Sequence, residues 1–418
     1  MNIKKTALFA SAAFFATSAF AIDHWLWLTT GSNTLPVWNY NGTDVTVSNR
    51  DLVIFGGDGV SVDANVNGEI TSTTTAFQFS GSNGRTAGNV TINIGEGFTL
   101  TAQSFAFGGE GMIAGSTVLV QGAGTFNMNG AWNLAGAGIT GISTVIKSNA
   151  ALNGAVNLGN GNSLKFESLT GTYSGTVTIG AGSKYEANIT STGYTTLPGK
   201  LVVNGGTFRF TKSSGVVMLN DAVINSLSED AYVSACGLNN SGTFKIGAGV
   251  DKKIIINSGN FTMWDGNLEL NSSNVLVRGD GTSPVDFELS GGNTGGKFTL
   301  GADNAFGYIR SNNDKSGYAM ELVLNGHEFK VEKFDSANIT LTIDDFADGL
   351  FVAKTENISM IDLDKIIAKQ GETTVENLFW KDLGNGYSSL VSTIPEPATV
   401  AAIFGAAALA LAVVRRRK

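Results

Sequence analysis

Val177-Thr178-Ile179-Gly180-Ala181-Gly182-Ser183-Lys184-Tyr185 joins a β-branched alternation, a Gly-x-Gly turn and an aromatic, and the 418-residue chain keeps returning to that phrase. It appears as Val90-Thr91-Ile92-Asn93-Ile94-Gly95-Glu96-Gly97-Phe98, as Val118-Leu119-Val120-Gln121-Gly122-Ala123-Gly124-Thr125-Phe126 and as Val202-Val203-Asn204-Gly205-Gly206-Thr207-Phe208. Ile254-Ile255-Ile256-Asn257-Ser258-Gly259-Asn260-Phe261 and Val275-Leu276-Val277-Arg278-Gly279-Asp280-Gly281 continue it, and a weaker copy starts at Val145. The starts at 90, 118, 145, 177, 202, 254 and 275 are separated by 28, 27, 32, 25, 52 and 21 residues, the 52 being close to two periods. Period-2 alternation makes each run a strand with one buried face. An irregular repeat in the twenties, built only of strands and turns, predicts a parallel β-solenoid. Each coil carries an apolar face that it cannot bury alone, and stacking coils ~4.8 Å apart joins those faces into one core. Gly supplies positive-φ corners, and Asn tolerates them while bonding to neighbouring backbone. Strands at this spacing also suit two or three β-sandwich domains, which stands as the alternative fold.

Composition narrows the function classes. Charged residues are 15% of the chain, there are 54 Gly, one Cys and two His, and no basic block lies in the body. One Cys makes no internal disulfide or thiolate cage, and two His leave little imidazole chemistry. Residues 1–21 run from Lys4 and Lys5 through an apolar stretch to Ala19-Phe20-Ala21, a small-x-small site that marks a cleaved export signal, with signal peptidase as partner. At the other end Ala398–Val414 is uncharged for 17 residues and is followed by Arg415-Arg416-Arg417-Lys418. As a helix it spans ~26 Å, the short limit for a bilayer, with the cations cytoplasmic and the body outside. Pro395 and Pro397 force an extended segment just before it. Removing both ends leaves 21 basic against 34 acidic residues, a body near −13 that repels nucleic acid and anionic lipid.

Pro395-Glu396-Pro397, the Ala-rich span containing Gly405 and the terminal Arg cluster together resemble the PEP-CTERM sorting signal of Gram-negative bacteria. That resemblance implies processing by an exosortase and export to the cell surface or the extracellular matrix. Trp38-Asn39-Tyr40-Asn41-Gly42 and Asp51-Leu52-Val53-Ile54-Phe55-Gly56-Gly57-Asp58-Gly59 resemble the start of an autotransporter passenger segment, although no C-terminal barrel follows. The expected fold class is therefore all-β: a parallel β-helix or β-solenoid with terminal caps, then a single C-terminal transmembrane helix. The expected order is a signal peptide (1–21), an N-terminal cap with first strands (22–60), solenoid repeats (61–300), a less regular C-terminal part or cap (301–394) and the sorting signal (395–418). Within that C-terminal part, Ser359-Met360-Ile361-Asp362 reads as a capping box before a short helix over 363–369 that stops at Gly371.

Candidate chemistry is sparse. Asp344, Asp345 and Asp348 cluster three carboxylates that suit acid/base work or Ca²⁺, against the plainer reading of a solvated turn. Polygalacturonase-type enzymes carry Asp-Asp, Gly-His-Gly and Arg-x-Lys in that order. Here Gly326-His327-Glu328 precedes the Asp pair and lacks the second Gly, so that catalytic set does not carry over. Gly56–Val62 approaches a toxin-type Ca²⁺ nonapeptide but has Ser61 where the motif has Asp. Cys236 reads as a small core residue, and Trp132 and Trp264 as core or as sugar-stacking platforms. The expectation is a non-enzymatic, structural or adhesive solenoid with no cofactor, whose partner outside the processing enzymes is extracellular polysaccharide. A polysaccharide lyase or glycoside hydrolase on the same scaffold is the alternative.

Overall fold

A computed structural model describes residues 25–392, except for 29–30, 41–42, 47–51, 56–61, 71–75, 80–87, 108–113, 135–139, 239–241, 291–295, 313–315 and a few single positions. The export signal with Ala19 and Ala21, His24, the sorting residues Pro395, Glu396, Pro397, Arg415, Arg416, Arg417 and Lys418, and the apolar span 398–414 all lie outside the described residues. Among those described, no helix is long and apolar enough to cross a membrane.

The chain is a parallel β-solenoid, not a row of sandwiches. One face, the long face, runs its whole described length in parallel register, from Trp25–Leu28 through Leu52–Phe55, Trp132–Leu134 and Thr243–Ile246 to Ile366–Gln370. Its inward column can be followed rung by rung. Trp132, Val156, Val177, Leu201, Ala222, Phe244, Leu268, Phe298, Leu322, Ile343 and Ala368 are successive register partners, and all are buried. The repeat thus works as expected: each apolar side chain stacks on its counterpart one coil away and the core becomes continuous.

A second face runs from Gly31–Leu35 to Leu276–Arg278, with Ile92, Val120, Ile146, Phe166, Ala187, Phe210, Val233 and Ile256 as its inward column. A third side is built twice. Thr99–Ala102, Thr125–Met128 and Asn149–Leu152 form its first version, which merges into the second face at the long strand Ser163–Leu169. A new third face then opens at Tyr194–Thr196 and continues through Val216–Leu219, Cys236–Leu238, Asn260–Met263, Asp286–Leu289, Asn304–Ser311 and Phe329–Phe334 to Phe351–Lys354. Beyond Arg278 the second face stops among the described residues, and the strands alternate between the long and third faces.

Gly-x-Gly turns sit at corners, for geometric reasons. In the strand Lys200–Lys212 the chain passes from the long face to the second face at Asn204-Gly205-Gly206. Gly205 has φ +86°, and a Cβ on Gly206 would stand 2.6 Å from the carbonyl oxygens of Gly180 and Ser183, so the corner excludes any larger residue.

Antiparallel pairing appears in a side hairpin near the start and at the far end. Val37–Tyr40 pairs with Thr43–Thr46 near the start. At the far end Thr373–Val375 folds back on Ile366–Gln370, and Tyr387–Ser392 and Leu378–Asp382 close the third face. Parallel rungs continue beyond 301 as far as Ile366–Gln370. The expected helix over 363–369 is a correction. Only a 3-10 turn forms at Leu363–Lys365, capped by Asp362, which accepts from the Asp364 N–H; Ile366 and Ala368 then alternate into the core as a strand. Gly371 does end the element, at φ +59°.

Candidate functional site

The sequence-expected carboxylates have separate structural tasks. Asp344 ends the strand Ile339–Asp344 with Lys369 Nζ 3.8 Å away, Asp345 holds an exposed left-handed corner at φ +56°, and Asp348 accepts the Ser392 N–H at 2.8 Å. No group of three or more His, Cys, Asp or Glu side chains among the described residues is placed to hold a metal. His327 Nδ1 lies 3.5 Å from Asp303, on the surface. Cys236 is buried in the inward column of the third face, where desolvation pushes its thiol up to about 12. Trp132 is fully buried, edge-on to Phe126 at 6.4 Å, so it packs the core and offers no platform. Trp264 is half-buried and 4.8 Å from the exposed ring of Tyr194. The Gly56–Val62 motif falls almost wholly outside the described residues.

The site the sequence reading missed is on the outward side of the second face. Inward Leu164, Tyr185 and Phe208 stack as register partners, as do Phe166, Ala187 and Phe210, so the residues between them must point to solvent. That places Lys165, Glu186, Arg209 and Tyr232 in one outward row, and Glu167, Asn188 and Thr211 beside it. Lys165, Glu167, Glu186, Asn188, Arg209 and Thr211 line an open groove of about 460 Å³, and Tyr232 stands behind Arg209.

Its members are held before any ligand arrives. Asn188 donates to the Glu167 carbonyl at 3.0 Å and accepts from the Thr211 hydroxyl at 3.2 Å. Lys165 reaches Glu167 at 3.4 Å, and Lys184 reaches Glu186 at 3.7 Å and Glu229 at 3.2 Å. Arg209 differs: its guanidinium lies 4.4 Å from the Tyr232 ring centroid, and no carboxylate lies within ion-pair distance of it among the described residues. A flat guanidinium backed by an aromatic keeps its N–H fork free for oxygen acceptors. Planar amide, carboxylate and guanidinium groups around a shallow trough are the donors and acceptors that adjacent hydroxyls require.

The groove extends a wider pattern. Asn93 donates to Asn65 at 3.0 Å and Gln121 to Asn93 at 2.8 Å, while Asn153 donates to Asn129 and Asn225 to Asn204. These amide contacts tie polar side chains of neighbouring coils to one another. The signal for the groove was present as charged residues between apolar ones in Leu164-Lys165-Phe166-Glu167, Tyr185-Glu186-Ala187 and Phe208-Arg209-Phe210. It emerges only when strands are aligned on their inward residues. No protein-family model, curated protein or solved structure matches the chain.

Proposed function

We propose that the chain is an exported surface or matrix scaffold that binds polysaccharide along the outward side of its second face. The single observation that carries this reading is the groove containing Arg209 on Tyr232, with Glu186, Asn188 and Thr211 pre-ordered beside it. Binding by such a surface draws on rigidity, since side chains fixed by neighbouring rungs lose little entropy when a glycan arrives. The export and sorting half of the proposal rests on Ala19-Phe20-Ala21 and on Pro395-Glu396-Pro397 with its apolar span and Arg415–Lys418, and implies signal peptidase and an exosortase as processing partners.

The test is affinity electrophoresis of the purified protein in gels holding the producing cell's extracellular polysaccharide, with polymer length followed in parallel. Retardation that weakens at least about tenfold in both Arg209→Ala and Tyr232→Ala is expected, with polymer length unchanged. Retardation indifferent to both substitutions removes the groove. Shortening of the polymer makes the protein an enzyme instead. For the sorting half, deletion of 395–418 should release the body to the medium, and a truncated chain that stays cell-bound contradicts it.

A further inference from the structure

The described chain hides its large apolar side chains well, with five exceptions: Tyr194, Met360, Ile367, Phe379 and Leu383. Four of the five fall within the last turn. Met360 is 52% exposed, Ile367 39%, Phe379 43% and Leu383 44%. Met360 ends the 3-10 turn Thr355–Met360, and Ile367 points outward from the last parallel strand of the long face, between buried Ile366 and Ala368. Phe379 lies on Leu378–Asp382, the outermost strand of the third face, which pairs on one side only, with Tyr387–Ser392. Leu378 and Trp380 of that strand pack inward against the core, the Trp380 ring 5.8 Å from Phe351, while Phe379 faces out. An exposed edge strand that is apolar on both faces is a liability that soluble surfaces avoid. At ~4.8 Å per strand, these residues form a collar within about 10 Å of the solenoid's end.

What the collar meets is constrained by the chain that follows. Ser392 closes the final strand, and the apolar stretch begins at Ala398. The intervening residues, two of them Pro, reach at most about 20 Å even when fully extended. Until the tail is processed, a bilayer holding 398–414 is therefore within reach of this end. Exposed Lys365 and Lys381 near the collar are outnumbered by exposed Glu356, Asp362, Asp364, Glu372, Glu376 and Asp382, so the contact would be apolar and made against the repulsion of anionic headgroups. We propose that the last turn of the solenoid seats in the headgroup layer of the membrane, with Met360, Ile367, Phe379 and Leu383 as its contact collar. The proposal rests on the reading of 398–414 as a membrane span.

The experiment uses the full chain reconstituted in phosphatidylethanolamine–phosphatidylglycerol vesicles. Leu383→Cys carries a fluorophore, and Asp221→Cys, at an exposed strand start far from the end, is the control; Cys236 is buried and stays unlabelled. Headgroup-spin-labelled lipid should quench the 383 fluorophore several-fold more than the 221 fluorophore, and more in high salt, which screens the acidic residues around the collar from the anionic lipid. Adding Phe379→Ser and Ile367→Ser should bring the two towards equality. Equal quenching in vesicles that float with the protein overturns the collar while leaving the membrane span intact. Protein that does not float with the vesicles removes the span and the collar together. Shielding at 383 that depends on protein density and not on the lipid quencher assigns the collar to a second copy and overturns the lipid contact.

Discussion

Asn162 shows what a corner asks of one residue. It is fully buried; its Oδ1 accepts the Ile142 N–H at 2.8 Å, and its Nδ2 donates to the Leu134 carbonyl at 2.8 Å and to that of Gly159. One side chain thus satisfies backbone groups from neighbouring coils that turn too sharply to satisfy each other. Asn162→Leu strands the Ile142 N–H and should cost about 2–4 kcal/mol, read from urea unfolding; a loss below about 0.5 kcal/mol would show that the bridge contributes nothing. Lys212 is the opposite case, a buried amine without a carboxylate. Its Nζ donates to the Ser191 carbonyl and to Thr195 Oγ1, the latter at 2.7 Å, and desolvation lowers its pKa from 10.5. The folded amine therefore releases its proton at a lower pH than the unfolded one. Just below pH 10.5 the unfolded chain holds more protons, so stability should rise with pH across that interval. Lys212→Met should flatten this part of the urea-midpoint profile, and an unchanged slope would assign it to another group.

At the scale of elements, the third face is held by an aromatic file. Phe261, Phe287, Phe306, Phe329 and Phe351 follow one another at ring separations of 4.7 to 5.6 Å, and Trp380 closes the file 5.8 Å from Phe351. Phe329→Ala removes three ring neighbours at once and should cost about 3–5 kcal/mol. Because coils touch only their neighbours, the loss should appear first as proteolytic sensitivity after residue 300, and nicking confined to the N-terminal half would contradict this. These strands were legible as strands; which face each belonged to was not. The phrases starting at 90, 118, 145, 254 and 275 lie on the second face, whereas those at 177 and 202 lie on the long face. Gly-rich turns serve more than one kind of corner and are missing from others, such as Ser228-Glu229-Asp230, so their spacing mixes faces, which produced the steps of 32 and 52. Inward residues keep a truer count: Leu164, Tyr185 and Phe208 pair directly across 21 and 23 residues. The charged groove was hidden by the same mixing, since Lys165, Glu186 and Arg209 share a row only in that register. The expected helix over 363–369 failed because a local capping pattern competes with a ready-made sheet edge, and Ile366 and Ala368 gain more by burial in the long face.

For the whole molecule, the decisive feature is the change of cross-section at Arg278. This residue occupies the register position held by Phe210, Val233 and Ile256 in the preceding coils, yet it is half-exposed, since no later strand among the described residues continues the second face. The chain instead folds back over the open edge: Pro284 bridges Val277 without an N–H to offer, Arg278 Nε donates to the Pro284 carbonyl at 2.7 Å, and its Nη2 meets Asp286 at 2.5 Å. Asp280 fixes the intervening turn, accepting the Ser283 hydroxyl and the backbone N–H groups of Ser283 and Thr282, which hold its carboxyl well below the usual range. Before this point neighbouring coils share three sheets and after it only two, so the junction carries less interface than any step just before it. In a stack whose stability is a sum of coil and interface terms, such a step is where cooperativity divides. The two-sided part, 286–392, should therefore exchange its amide hydrogens as one unit at lower denaturant than the three-sided turns from 194 to 278. Arg278→Ala should widen that gap by about 1–2 kcal/mol, a charged hydrogen bond discounted for its exposure. Hydrogen exchange read by mass spectrometry across a urea series decides the matter. Two separated transitions with the boundary near 278 follow from this architecture, whereas one transition shared by both parts would mean that the long face alone couples the whole solenoid.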